Sequence, residues 1–361
     1  MNQASNEIRS AAEVLRRGGL VAFPTETVYG LGVHAFDAAA VERLFAAKGR
    51  PSTDPLIVHV LAFDDAYELL GEDLESGPFC RVRRLAARFW PGPLTLVVPR
   101  SPRVPDAVTA GLDTVAIRAP AHPVARALLA AAAVPIAAPS ANLFSRPSPT
   151  LAEHVLQDLD GRIDMVIDGG ATAVGVESTV LDLTADVPTV LRPGAITLEM
   201  LRELLPNVRD RAHFELLPGA GGGAQPGATP VADVRAGAMR SPGMLSRHYS
   251  PRAPLTLYEG PRAAERLAGV VGEAIVAGQE VGVLVPREQV ARFQAFGVRV
   301  ADLGPADDAP AMAARLYAAL RELDLPGIDA IFALGVDGEE GLRSALRDRL
   351  RRAAAGRIIH T

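Results

Sequence analysis

Short apolar runs alternate along this chain with stretches of helical spacing. Residues 7–17 (EIRSAAEVLRR) put Ile8, Ala11, Ala12 and Leu15 on one side of a helix, and Gly18-Gly19 predicts its C-cap. The apolar run 20–23 predicts a buried strand stopped by Pro24. Asp37 predicts the cap of a helix carrying Val41, Leu44 and Phe45. Further strands are expected at 56–60, 94–98, 114–118, 135–138, 165–168, 179–183 and 189–192, with helices near 81–89, 122–133 and 151–159. The elements interleave without strict βα alternation. This predicts an α/β fold, a twisted mixed sheet with packed helices, over residues 1–205.

The pattern then breaks. Residues 218–230 (PGAGGGAQPGATP) hold almost nothing that can bury a core and read as linker. SPGMLSRHYSP at 241–251 is richer than a spacer needs, with Met244, Arg247, His248 and Tyr249. Residues 206–254 are therefore taken as a long linker. From 255 to 361 a smaller α/β domain is expected, with strands at 255–258, 281–285, 298–303 and 330–334 and helices at 261–277, 309–323 and 340–354.

Composition narrows the function. The chain has 361 residues with Lys+Arg 37 against Asp+Glu 42, a net charge of -5, which disfavours a general nucleic-acid coat. One cysteine, Cys80, excludes a disulfide framework and a cysteine-based zinc site. No apolar run reaches the ~18–20 residues of a bilayer span, so the expected compartment is the cytoplasm, with no membrane partner. There is no GxxxxGK[ST], HExxH or GxSxG motif. Lys48 is the only lysine, and Asn142 is one of four asparagines.

Four stretches carry candidate chemistry. PTETVYGLG at 24–32 puts Thr25, Glu26 and Thr27 at a strand end, where α/β folds bind ligands, although side-chain capping of a turn would look the same. KGRP at 48–51 sets Lys48 and Arg50 where both can meet one anion such as a polyphosphate; at a helix C-terminus they would also suit the macrodipole. PSAN at 139–142 ends an apolar run with small polar groups fit for a phosphate or sugar oxygen, or for a plain turn. VESTV at 176–180, LRPG at 191–194 and Arg118 in TVAIRAP place Ser178, Arg192 and Arg118 at the edges of apolar runs. A charge there needs an acid, from the protein or from a ligand. The arginine-rich stretches at 81–88 and 343–352 read as solvated helix faces.

In their order and spacing, PTETVYGLG, KGRP with PLIVHV, TVAIRAP, PSAN, and ESTVLDL with LRPG resemble the YrdC/Sua family of L-threonylcarbamoyladenylate synthases over residues 8–205. SPGMLSRHYSP and the domain after it resemble the longer, two-domain members. The resemblance implies a YrdC-like catalytic domain with a large positive cavity, a linker that can lie over it, and a Rossmann-like C-terminal domain. It implies that L-threonine, bicarbonate (or carbon dioxide) and ATP give threonylcarbamoyl-AMP and pyrophosphate. A downstream threonylcarbamoyl transferase complex would use that product on tRNA, which this chain would meet only indirectly. By matched position, Lys48 and Arg50 would bind the ATP phosphates and carry catalysis. Ser140 and Asn142 would hold the nucleotide and its metal-phosphate region, and Thr114, Ser148 and Arg192 the nucleotide side. Tyr249 would close over ATP. Thr27, His59, Arg118, Ala138 and Ser178 would surround threonine, Arg118 taking its carboxylate. Magnesium would come with ATP rather than in a protein cage. Asp54 is also expected at the ATP by its position; it stands where the family commonly has Asn in its NPL element, and an acid there repels a triphosphate unless magnesium lies between them.

Two other functions fit parts of the pattern. A related carbamoyltransferase would share the catalytic domain but needs zinc-finger cysteines that are missing here. An RNA-binding or ribosome-assembly module would use a positive cavity to read RNA shape.

Overall fold

The computed structural model describes residues 3–71, 77–210 and 248–361. The Gly/Pro-rich stretch 218–230 and most of SPGMLSRHYSP lie outside the described residues; His248 and Tyr249 lie within them. In chain order the first part holds α1 (Gln3–Arg16), β1 (Val21–Pro24), β2 (Tyr29–His34), α2 (Ala38–Lys48), β3 (Ile57–His59), α3 (Gly77–Phe89), β4 (Leu94–Pro99), α4 (Asp106–Thr109), β5 (Thr114–Arg118), α5 (Pro123–Ala132), β6 (Ile136–Ala137), α6 (Ala152–Leu159), β7 (Met165–Val166), β8 (Thr179–Asp182), β9 (Thr189–Arg192), α7 (Leu198–Arg202) and β10 (Arg209–Asp210). The second part holds β11 (Leu255–Glu259), α8 (Ala263–Val276), β12 (Val281–Val285), α9 (Arg287–Gln294), β13 (Arg299–Asp302), α10 (Ala309–Leu323), β14 (Ala330–Leu334), α11 (Leu342–Ala354) and β15 (Ile358–His360).

The first ten strands form one mixed sheet in the order β10-β9-β8-β4-β5-β3-β6-β2-β1-β7. Alternation along β1 explains its layers. Val21 and Phe23 pack with Ala11, Leu15, Leu128 and Leu129 of α1 and α5, whereas Ala22 packs on the other face with Leu44 of α2 and Leu85 of α3. Asp37 caps α2 through the amide of Ala40, and Gly49 ends it in the left-handed conformation. Pairing of β10 with β9 carries this sheet past the expected boundary at residue 205.

Three strands, β2, β10 and β15, lie outside the sequence expectation. β2, in YGLGVH, pairs antiparallel with β1 where a glycine-rich turn was expected. Its glycines mark close packing. A Cβ at Gly32 would come within 2.8 Å of both Ile136 and Phe23.

The remaining strands form a second, parallel sheet in the order β13-β12-β14-β11-β15. Its core is continuous with the first part: Val28, Val176 and Tyr249 pack in one cluster with Leu316, Tyr317 and Leu320 of α10. A Cβ on Gly175 would lie 2.3 Å from the carbonyl oxygen of Ala313, so the segment before β8 sits directly on α10. Among the described residues, three interdomain ion pairs accompany this contact: Arg321 with Asp158 at 2.7 Å, Arg146 with Asp324 at 2.5 Å and Arg349 with Glu177 at 2.9 Å.

Candidate active site

Register brings the predicted residues to one edge of the first sheet. Parallel pairing of β3 and β5 sets His59 beside Arg118 at the strand ends. β6 runs antiparallel to β3, and the amide of Ala138 donates to the carbonyl oxygen of Ile57 at 2.9 Å. β8 begins at the same edge and β9 ends there, which adds Ser178 and Arg192. A cleft opens there. It is bordered by Thr27, Arg50, His59, Arg118, Ala138, Ser140, Ser178, Arg192 and Tyr249, with Glu177 and His248.

One end of the cleft is built around Arg118. Its Nη2 pairs with Glu26 Oε1 at 2.7 Å, its Nη1 donates to Thr27 Oγ1 at 3.0 Å, and its Nε donates to the carbonyl oxygen of Gly92 at 3.2 Å. Thr25 Oγ1 donates to the carbonyl oxygen of Val28, so the 2.8 Å contact between the Thr25 and Thr27 hydroxyls leaves Thr27 as the donor. Burial raises the Glu26 pKa, but Arg118 more than offsets this and Glu26 stays ionised. Burial, then the charge of Arg118, pulls His59 down to about 3, so it faces the cleft as a neutral imidazole.

The other end holds Arg50 and Arg192. Arg50 Nη2 meets Asp54 Oδ1 at 2.9 Å and donates to the carbonyl oxygen of Pro55 at 2.8 Å. Arg192 Nε and Nη2 donate to the carbonyl and hydroxyl oxygens of Ser178, both at 3.1 Å. Ser178 Oγ also meets Thr95 Oγ1 at 2.8 Å. Both arginines are buried, so an anion entering the cleft would meet two cations that are already desolvated and oriented.

Two family models cover the chain and meet at residue 195, just ahead of the last strand of the first sheet. The Sua5, YciO and YrdC model, described as "Telomere recombination", matches residues 13–194. The model described as "Threonylcarbamoyl-AMP synthase, C-terminal domain" matches residues 196–355. The threonylcarbamoyl-AMP synthase of Pyrococcus abyssi is 43% identical over 355 residues, covering 98% of this chain and 95% of that protein. The chain belongs to the Sua5/YrdC family. The Bacillus subtilis enzyme of the same name is also 43% identical, with 98% and 94% covered. The crystal structure of P. abyssi Sua5 complexed with L-threonine superposes with a TM-score of 0.85 at 42% identity, covering 99% of this chain and 96% of that one.

Within this family frame, several of the residues expected at the nucleotide do not border the cleft. Lys48 does not border the cleft. Its side chain is buried behind the PSAN loop, where Nζ donates at 2.5 Å to the carbonyl oxygens of Ser140 and Asn142. Burial, with Arg50 nearby, pushes its pKa well below the usual lysine value. Asn142 is likewise turned inward, its amide nitrogen donating to Leu143 and Arg146 carbonyl oxygens. Asp54 is spent on Arg50 rather than exposed to a ligand. Ser148 Oγ donates to Glu177 Oε1 at 2.5 Å. Thr114 begins β5 opposite Pro99, at the far end of the strand from Arg118 and outside the cleft lining.

The sequence reading assigned no role to Glu177. Its carboxylate also accepts from Tyr317 Oη at 2.8 Å and Arg349 Nε at 2.9 Å, both in the second domain. Burial raises its pKa, but Arg349, Arg192 and the Ser148 hydrogen bond hold it down to about 2. VESTV was the available signal, since an acid between Val176 and Ser178 must find a cation.

Proposed function

We propose that this protein is a threonylcarbamoyl-AMP synthase, which joins L-threonine, bicarbonate and ATP with release of pyrophosphate. The observation that carries this reading is the two-ended cleft. An arginine with threonine hydroxyls lies at one end and a buried arginine pair at the other, in a chain matching named synthases over nearly its whole length. RNA binding is not favoured, because the net charge is -5 and the chain matches named synthases over nearly its whole length.

In this reading Arg118 takes the threonine carboxylate, with Thr27, His59, the Ala138 main chain and Ser178 around it. Neutral His59 and ionised Glu26 suit the substrate's ammonium group. The amine, once deprotonated, attacks bicarbonate and forms a carbamate with loss of water. A carbamate oxygen then attacks the α-phosphorus of ATP, and the bond to pyrophosphate breaks. The chain supplies no nucleophile, so positioning and charge neutralisation carry the rate. Arg50 and Arg192 face the phosphates. Lys48 supports them from behind Ser140 and Asn142, where its ammonium holds the PSAN loop in place.

Magnesium enters this reading with ATP. Among the described residues no group of three or more His, Cys, Asp or Glu is arranged to hold a metal ion. No described helix is long and apolar enough to cross a membrane. We place the reaction in the cytoplasm, with the product passing to a threonylcarbamoyl transferase that acts on tRNA. The test is mass spectrometry of the product from ATP, L-threonine and isotope-labelled bicarbonate. A labelled threonylcarbamoyl adenylate is expected; turnover without label in an adenylate overturns the reading.

A further inference from the structure

The second domain reaches the cleft through two residues. Arg349 of α11 is completely buried, with Nε on Glu177 and Nη1 on Asp348 Oδ2 at 2.7 Å. Tyr317 of α10 donates its hydroxyl to the same Glu177 carboxylate. The guanidinium carbon of Arg349 also lies 5.5 Å from the centre of the Tyr249 ring, within cation–π range. Tyr249 is held at φ +59, a left-handed conformation that strains a residue with a side chain. The surroundings enforce it. Its ring packs at 5.4 Å from Tyr317 and at 4.1 Å from His248. The next residue is tied to both domains: the Ser250 amide donates to the Ser145 carbonyl oxygen at 2.7 Å, and its Oγ donates to that of Ala353 at 3.1 Å.

Glu177 and Tyr249 both border the cleft, at the end where Tyr249 is close enough to Arg50 to influence its charge. An ionised Glu177 without a partner would repel phosphates there. A Tyr249 without backing would have no reason to keep its strained backbone. We propose that Arg349 is a positioning residue for the anion end of the cleft: from the second domain it neutralises Glu177 and backs Tyr249, so that ATP meets a preformed pocket. This gives the second domain a function in the reaction without a catalytic group of its own. The proposal rests on the reading of the cleft as an ATP and threonine site.

The test uses the full chain and calorimetric titration of magnesium-ATP and, separately, of L-threonine. Arg349→Met should weaken ATP binding about tenfold or more and leave the threonine Kd within about twofold, because the contacts of Arg118 with Glu26, Thr27 and Gly92 involve none of Glu177, Tyr249 or Arg349. Arg349→Lys should recover part of the ATP affinity. In turnover, Arg349→Met should raise the KM for ATP more than it lowers kcat. A merely structural loss would lower the fraction of binding-competent protein at unchanged Kd. Should Arg349→Met fail to fold, the double variant Arg349→Met/Glu177→Gln removes both members of the pair, and it should still bind ATP weakly because Tyr249 has lost its cation–π contact. An unchanged ATP Kd in folded variants overturns the proposal alone. Failure of the wild type to bind ATP overturns the reading of the cleft itself.

Discussion

Arg118 and Glu26 form an ion pair of 2.7 Å at the end of β5, and the same guanidinium holds the Thr27 hydroxyl. Glu26 thus keeps the arginine extended toward the cleft before any ligand arrives. An incoming carboxylate finds the cation already desolvated and oriented, which lowers the cost of binding.

Arg118→Lys keeps the charge but loses the planar fork that reaches Glu26, Thr27 and Gly92 at once. Its affinity for L-threonine should fall by about 10- to 100-fold, in line with ~1.5–3 kcal/mol for hydrogen bonds to charged groups. ATP binding should stay the same. Calorimetry with each ligand separately checks both halves.

Acid should destabilise this protein from near pH 6.5 downward. His59 and His248 titrate at about 3 in the folded chain, each because burial, and then a neighbouring arginine, opposes protonation. The unfolded chain takes up those protons near 6.5, so between 6.5 and 3 it binds more protons than the folded one and stability falls as pH falls. The loss is at most ~1.4 kcal/mol per pH unit for each histidine. Glu177 adds a second window. Its folded pKa of about 2 lies below the ordinary 4.5, so the stability it contributes above 4.5 is lost between 4.5 and 2. Urea unfolding at pH 5 and pH 7 should show a smaller difference for His59→Gln than for the wild type.

The Arg321–Asp158 pair is buried, and Arg321 Nη2 also donates to the Pro147 carbonyl oxygen. Arg321→Ala leaves Asp158 charged and unpaired, a change that costs about 3–5 kcal/mol. Replacing both partners by apolar residues, as in Arg321→Met/Asp158→Leu, should recover most of that loss. Denaturant midpoints of the two variants measure it.

Lys48→Arg should damage the site although the charge is kept. Lys48 fills a closed space and points a compact ammonium at two carbonyl oxygens. A larger guanidinium there must shift the PSAN loop, at a cost of about 1–3 kcal/mol for overpacking. The expected result is a lower melting temperature together with weaker ATP binding, read by calorimetry.

Legibility followed the range of the forces involved. Elements with a strong local signal were read well: β4 and β5 from apolar runs, α2 from the Asp37 cap and α10 from helical spacing. β2 was read as a turn because its glycines serve close packing against Ile136 and Phe23, partners distant or reversed in sequence. At the site, Arg118, Ser178 and Arg192 stand out in the sequence because polar residues at the edges of apolar runs need a partner at strand ends, whereas His59 is named only through the family resemblance. Lys48 was noticed for its rarity, but its direction depended on a loop 92 residues away. Glu177 and Arg349 were missed because an ion pair spanning 172 residues leaves no spacing to read.

Pyrophosphate release from ATP with magnesium and bicarbonate, followed with and without L-threonine in the wild type and in Arg50→Gln, is the decisive measurement. Release should require threonine in the wild type and fall about 100-fold or more in the variant, since Arg50 is placed to neutralise charge developing on the phosphates. Release that ignores threonine, or none at all from folded wild-type protein, would contradict the synthase assignment.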